Sequence, residues 1–260
     1  MPTLSTFGAA AARGFGLTAG AGKVVANITI ASNTANYVLN TAKVTGYKAG
    51  KTDVTLTINN GVFVSSASTG SYAFTVDNSW TTGDTLTIVN NGTIQGRGGN
   101  GGNQGSAGST GGPALLVQRA VSINNVNRIA GGGGGGGGGY YTVLVFKDGP
   151  RLVGAGGGGG GGLGVSTGGP SNTDYQGRSS GAGNPGTLTS AGGGGASSDG
   201  NNAGGPGASG GSYASSGGTA GLGPYAESTR GGFGGAGGAA IVGNSNITYI
   251  NTGTINGSVS

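Results

Sequence analysis

No cysteine occurs in the chain, so neither a disulfide framework nor thiolate chemistry is open to it. Histidine is absent too, which removes imidazole bases, Ser-His-Asp triads and histidine metal sites. The seven carboxylates are scattered, with no adjacent pair of the kind glycoside hydrolysis uses. Charged residues make up 7% and apolar residues 33% of the 260, both low. The first figure excludes a chain held open by charge repulsion, and the second excludes an ordinary side-chain core. A net charge of +5 is dispersed, with Lys43, Lys48 and Lys51 the densest group, so the basic stripe of a nucleic-acid binder is missing. No window approaches about eighteen apolar residues, so no membrane-inserted helix is expected. Residues 1–22 lack the basic start and compact apolar run of a signal peptide, and synthesis in the cytoplasm is expected.

No cofactor motif stands up either. Gly20-Ala21-Gly22-Lys23 has Leu17 where a phosphate loop needs its first glycine, and Val24 where it needs Ser or Thr. The glycine runs satisfy dinucleotide patterns through composition alone. Neither an enzyme nor a cofactor is expected.

What the chain has is glycine: 68 residues, of which 54 lie between Gly96 and Gly238. The longest runs are Gly131 to Gly139 and Gly156 to Gly162. Glycine carries no Cβ and loses much backbone entropy on ordering, which favours a disordered Gly/Ser linker. Against this, the runs are interrupted by inserts carrying Tyr, Phe, Leu, Val and Pro, and β-type segments flank them. The ordered alternative is a packed bundle of polyglycine II helices, extended rods with three residues per turn and a rise of about 3.1 Å. Such rods make no internal hydrogen bonds, so each must pair with its neighbours. The irregular glycine spacing excludes a collagen triple helix.

Around the glycine region the pattern is β. Short alternating runs at Val24 to Ile30, Tyr37 to Thr45, Val54 to Ile58, Tyr72 to Val76 and Thr85 to Val89 have no helical period. Leu86-x-Ile88-x-Asn90, followed by Ile94 and Gly96, recurs as Val121-x-Ile123-x-Asn125 with Ile129 and Gly131. It recurs again as Ile247-x-Tyr249-x-Asn251 with Ile255 and Gly257. Leu56, Ile58, Asn60 and Val64 fit in part. This spacing suggests coils of a parallel β-solenoid with stacked corner asparagines; frequent Asn-Gly at strand ends is the alternative explanation. Tyr140 to Val153 reads as a hairpin turning at Lys147-Asp148-Gly149-Pro150. Trp80, in a turn-rich segment, is either a packing residue or a docking anchor.

Several blocks resemble one known family. They are Ser5 to Gly16, Asn90 to Gly99, Gly111 to Leu115 and Asn125 to Gly139, together with glycine motifs alternating with divergent inserts. Chains of this pattern are similar to the receptor-recognising adhesins at the distal tip of long tail fibres of T-even-type bacteriophages. The resemblance implies an all-β and irregular fold: a solenoid-like β attachment domain over 1–120, then a sandwich of polyglycine II helices with distal loops over 121–240. Residues 241–260 would form a strand segment packing back on the structure. It implies a virion protein joined to the tip of the trimeric long tail fibre protein, which binds a porin-like outer-membrane protein of a Gram-negative host.

By position, the variable inserts are 163–180, 185–191, 196–203, 212–216 and 222–230. Within them Leu163, Val165, Tyr175, Leu188, Tyr213, Leu222 and Tyr225 are the expected receptor contacts, local packing being the alternative for the Leu and Val positions. Phe7, Phe15 and Trp80 are the expected fibre anchors. A glycine-rich structural protein and a fibre-assembly chaperone are the competing readings.

Overall fold

The computed structural model describes residues 22–140, 142–146, 148–174, 176–198, 204–221 and 231–260. Its framework is a parallel β-solenoid with three sheets, each built from one strand per coil. The first coil comprises β1 (Val24–Ile30), β2 (Thr34–Ala35) and β3 (Tyr37–Leu39). The second holds β4 (Thr52–Ile58), β5 (Phe63–Ser65) and β6 (Phe74–Val76), and the third β7 (Thr85–Asn90), β8 (Thr93–Gln95) and β9 (Leu115–Val117). In the fourth, β10 (Val121–Asn125) and β11 (Arg128–Ala130) precede a long excursion. That excursion contains the antiparallel hairpin β12 (Thr142–Phe146) and β13 (Gly149–Gly154), and β14 (Ile241–Val242) then completes the coil. The last coil has β15 (Ile247–Asn251) and β16 (Thr254–Asn256).

Alternation explains the strands. In β4 every second residue is buried, so Val54, Leu56 and Ile58 enter the core while Asp53, Thr55 and Thr57 face outward. Stacking coils lays Leu56, Ile88 and Ile123 in one row, and Val64, Ile94 and Ile129 in another. The buried corner amides form a short ladder: Asn90 Nδ2 donates to Asn125 Oδ1 (2.8 Å), and Asn125 Nδ2 to the Thr252 carbonyl (2.6 Å). The second coil enters this ladder differently from the sequence expectation. Ile58, not Asn60, pairs with Asn90, because the corner 59–62 is two residues longer than the corner 91–92. Val64 regains alignment with Ile94 after that corner. Between β10 and β15 a bulge pairs Asn124, rather than Asn125, with Asn251.

The glycine region grows out of two coils. Residues 96–112 leave β8 and return to β9, and residues 131–240 leave β11 and return to β14. The expected division at 120/121 therefore falls inside the solenoid, which contains 121–130, and 96–112 belongs with the glycine rods.

The rods show the three-residue periodicity of polyglycine II. Gly132, Gly135 and Gly138 donate to Gly112, Ser109 and Ser106; Gly133, Gly136 and Gly139 donate to Leu163, Gly160 and Gly157. Gly134 and Gly137 donate to Ser215 and Gly218. On the acceptor side, carbonyls of the same rod receive N–H groups of Gly99, Gly102 and Gly105, of Ala208, Gly211 and Ala214, and of Gly232, Gly235 and Gly238. All these bonds measure 2.7–3.1 Å. Rod 131–139 thus has a partner rod on each of six sides. Rod 156–162 repeats the arrangement, bonding to rods around 99–102, 133–139, 169, 181–184, 192–195 and 205–211.

Six-sided packing is why these two runs are uninterrupted. A Cβ added at any residue from Gly131 to Gly139 would come within 3.0 Å of a neighbouring backbone atom. Rods on the rim carry side chains at every third residue, where the helix faces outward. Arg97, Asn100 and Asn103 form one such row, and Phe233, Ala236 and Ala239 another.

Two glycine-to-alanine substitutions separate the classes. Gly135→Ala, with its Cβ against the Asn100 carbonyl, is expected to cost on the order of 3 kcal/mol by overpacking or to abolish folding. Gly193→Ala, whose nearest neighbour is Asn184 Nδ2 at 3.6 Å, is expected to change stability by no more than about 0.5 kcal/mol. Thermal unfolding of both variants checks this.

Candidate functional site: the two ends of the glycine rods

Successive rods reverse direction, so the loops joining them fall alternately at two ends. The solenoid end carries the segments 163–166, 187–191 and 212–215. The opposite end carries the turn 103–106, the hairpin β12–β13, residues 171–174 and 176–180, residues 197–198, and the rod termini at Gly221 and Gly231. A rod of nine residues separates the ends by roughly 28 Å at 3.1 Å per residue.

The family resemblance implies that the variable inserts form distal loops. The structure separates them, because reversing rods of one length must return every second loop to its origin. Four expected receptor contacts lie at the solenoid end. Leu163 is buried, its carbonyl accepting from Gly133 and its N–H donating to Gly211, both at 2.9 Å. Val165, in the same segment, is 44% exposed. The half-buried Leu188 sits beside the solenoid: the buried Gln95 amide, with Nε2 directed at the Leu188 carbonyl (3.0 Å), accepts from the Gly164 N–H (3.3 Å). The ring centroid of Tyr213 lies 4.2 Å from the Arg128 guanidinium carbon, a cation–π contact between the rods and β11. Tyr175, Leu222 and Tyr225 lie outside the described residues, as do Phe7 and Phe15.

Trp80 is corrected as a docking anchor. It is 2% exposed, its Nε1 donates to the Leu39 carbonyl at 3.2 Å, and Tyr47 meets its ring edge-on at 5.8 Å between centroids. The turn around it holds the ring in the core: Asp84 Oδ2 accepts from Tyr47 Oη (2.7 Å) and the Thr81 N–H (2.9 Å).

At the hairpin end, residues 171–174 and 176–180 form a braced arch. Asn172 and Ser180 close its base: the Ser180 N–H donates to the Asn172 carbonyl (2.7 Å), and the Asn172 N–H to Ser180 Oγ (2.9 Å). Thr173 and Ser179 bridge above, with their hydroxyls 3.0 Å apart. The Asp174 carboxylate, wholly buried, fills the arch. Its Oδ1 accepts the N–H groups of Gln176 and Arg178, each at 2.9 Å, and its Oδ2 accepts Arg178 Nε at 2.8 Å. Burial pushes this carboxyl up, but the Arg178 N–H, the guanidinium and the Gln176 N–H outweigh it and hold the pKa below the ordinary value. Ser198 is likewise rooted on a central rod, through paired bonds with Ala155 (2.9 and 3.0 Å). These loop roots could not be ranked from sequence, where Asp174 is one of seven scattered carboxylates. The spacing of Asp174 and Arg178 is the only trace.

This combination of solenoid, glycine lattice and end loops has known counterparts. The family model of the phage tail fibre adhesin Gp38 matches residues 25–260. The chain belongs to that family. Its fold is similar to the crystal structure of the gp37-gp38 adhesin tip complex of the bacteriophage S16 long tail fiber, with a TM-score of 0.59 and 26% identity. The match covers 92% of this chain and 82% of the other. No curated protein matches the chain.

The arch has a pH signature. Because the folded pKa of Asp174 lies below its unfolded value, the stabilisation is complete above the ordinary carboxylate range and is lost as pH falls through the depressed pKa. Amide exchange at Gln176 and Arg178 is expected to accelerate, beyond its intrinsic pH dependence, as pH drops below about 4, and to be already fast at neutral pH in Asp174→Asn.

Proposed function

We propose that the chain is the receptor-binding tip of a phage long tail fibre, with the solenoid attached to the fibre and the hairpin end of the glycine rods meeting a host outer-membrane protein. The observation that carries this reading is the geometry of a family adhesin whose rods hold a cluster of unlike loops about 28 Å from the solenoid. Rigid elements that present diverse loops are the usual architecture of recognition. The target class, a porin-like protein, comes from the family resemblance. The action is binding without bond chemistry, and the finished protein works in the virion after synthesis in the host cytoplasm.

Attachment fits the first coil. β1 pairs with β4 on one side and, among the described residues, has no strand on the other. Val24, Ala26 and Ile28 point into the core row yet stay half-buried, since no coil among the described residues covers them, and Val25 is 70% exposed. A fibre protein that supplies a strand and apolar side chains would satisfy both the open edge and the open core. Leu163, Leu188 and Tyr213 then serve the seam between solenoid and rods, and the binding loops are 103–106, the β12–β13 hairpin and the arch around Asp174, together with the variable inserts 196–203 and 222–230.

Two measurements test the two ends. The chain lacks cysteine, so Gln104→Cys at the hairpin end and Thr189→Cys at the solenoid end each accept one polyethylene glycol maleimide. With the adhesin–fibre complex, the modified Gln104→Cys is expected to lose adsorption to host cells at least tenfold, and modified Thr189→Cys to retain it. Equal adsorption by both would refute the assignment of the receptor end. At the other end, Val25→Arg is expected to reduce co-purification with the fibre protein several-fold while leaving the melting temperature within about 2 °C, as a surface change should.

A further inference from the structure

We infer that Asp174 is a positioning residue for receptor binding: it clamps the arch of residues 171–174 and 176–180 into a preformed recognition element that offers the Gln176 amide and the arch's backbone to a polar protein loop. The inference rests on the reading that the hairpin end meets the receptor, and it names which loop there is built for contact and how.

The arch differs from a simple rod connection. A connection between adjacent rods needs only a tight turn, as at 103–106, where the Ser106 N–H returns to the Asn103 carbonyl at 2.8 Å. Residues 171–174 and 176–180 instead form a loop with its own bridge, base and buried charge. A buried carboxylate is costly unless its hydrogen bonds are satisfied, and this one accepts from two backbone N–H groups and a guanidinium. All three donors belong to the loop, so the carboxylate fixes the shape of the loop and not the lattice beneath it. Gly177, with φ of +77°, completes the turn, and its N–H donates to the Asp174 carbonyl at 3.0 Å.

What the arch displays follows from what it conceals. Thr173, Gln176 and Ser179 are exposed, while the Arg178 side chain is held at its Nε by Asp174. With its cation neutralised, the arch is poorly suited to capture a phosphate or another anionic group of a lipopolysaccharide. The Gln176 amide and the peptide groups of a fixed backbone suit the neutral polar loops of a protein, while Thr173 and Ser179 brace the arch. Holding them in place before contact lowers the ordering cost that a flexible loop would bear on binding.

The test uses the full chain in complex with its fibre protein and measures the adsorption rate to host cells. Asp174→Ala is expected to lower that rate about tenfold while the melting temperature of the glycine region stays within about 2 °C. A rescue separates positioning from direct contact. Thr173 and Ser179 form a non-hydrogen-bonded antiparallel pair, flanked by the Asp174 to Arg178 and Ser180 to Asn172 bonds. Such a pair suits a disulfide, with Cα atoms about 4.5 Å apart.

Thr173→Cys and Ser179→Cys, added to Asp174→Ala, are expected to restore adsorption when oxidised and to lose it again on reduction. The same cysteine pair with Asp174 retained must adsorb normally in both states, showing that the two hydroxyls are dispensable. Normal adsorption by Asp174→Ala, or its loss without oxidative rescue while that control adsorbs, would overturn the inference. Loss in the control would overturn the assignment of Thr173 and Ser179 to bracing rather than contact. The polymer-blocked Gln104→Cys variant, measured alongside, distinguishes failure of the clamp from failure of the receptor-end assignment. If blocking has no effect, the end is wrong; if blocking works and Asp174→Ala adsorbs normally, only the clamp is wrong. Addition of purified lipopolysaccharide should not compete; competition at the arch would overturn the neutral-loop specificity.

Discussion

Backbone hydrogen bonding between rods is the constraint from which the rest of the glycine region follows. An extended three-residue helix has no internal bonds, so each peptide group must find a partner in another segment. For rod 131–139 those partners lie on six sides, and neighbours this close leave no room for a Cβ. Glycine here is therefore the condition for contact rather than a source of flexibility. The ordering entropy it costs is offset by a lattice in which every N–H from Gly131 to Gly139 is bonded to another segment. Side chains survive only where a rod has an open side, which turns a uniform tract in the centre into a three-residue pattern on the rim.

A lattice of nearly identical rods has a register problem, since a slip by three residues changes little locally. The solenoid supplies the answer. β8 and β11 pair in parallel, with Gln95 opposite Ala130, and the next bonds run from Gly96 to Ala130, Gly99 to Gly133, Gly102 to Gly136 and Gly105 to Gly139. The ladder thus passes from strand to rod without a break. At the return, Gly108, Gly111 and Ala114 donate to Phe233, Ala236 and Ala239, and Leu115 then pairs with Ile241. Side chains of the solenoid core, such as Ile94, Ile129, Leu115 and Ile241, fix a register that glycine cannot specify for itself.

Much of this was legible in the sequence. The repeats at Leu86, Val121 and Ile247 exposed the solenoid because inward-facing aliphatics must stack. The second coil was misaligned because a two-residue extension of one corner is invisible to a pattern that reads strand and corner together. The length of the glycine runs pointed to packing, but not to which rods are central; that depends on how many neighbours each acquires. Least legible was the division of loops between two ends. It is set by the parity of chain reversals, which no single insert records. Hence Leu163 and Tyr213, chemically plausible as contacts, belong to the seam, while Asp174 gained meaning only from its burial beneath a loop.

The orientation of the rods also has a mechanical consequence. They run from the solenoid to the hairpin end, and the bonds joining them lie across that direction. A pull between the two ends would load many of those bonds side by side, in shear, rather than peeling them one after another. The two buried rods are gripped on all sides, so neither can slide without breaking several rows together. A structure almost devoid of side-chain core is in this way suited to bear tension along its length.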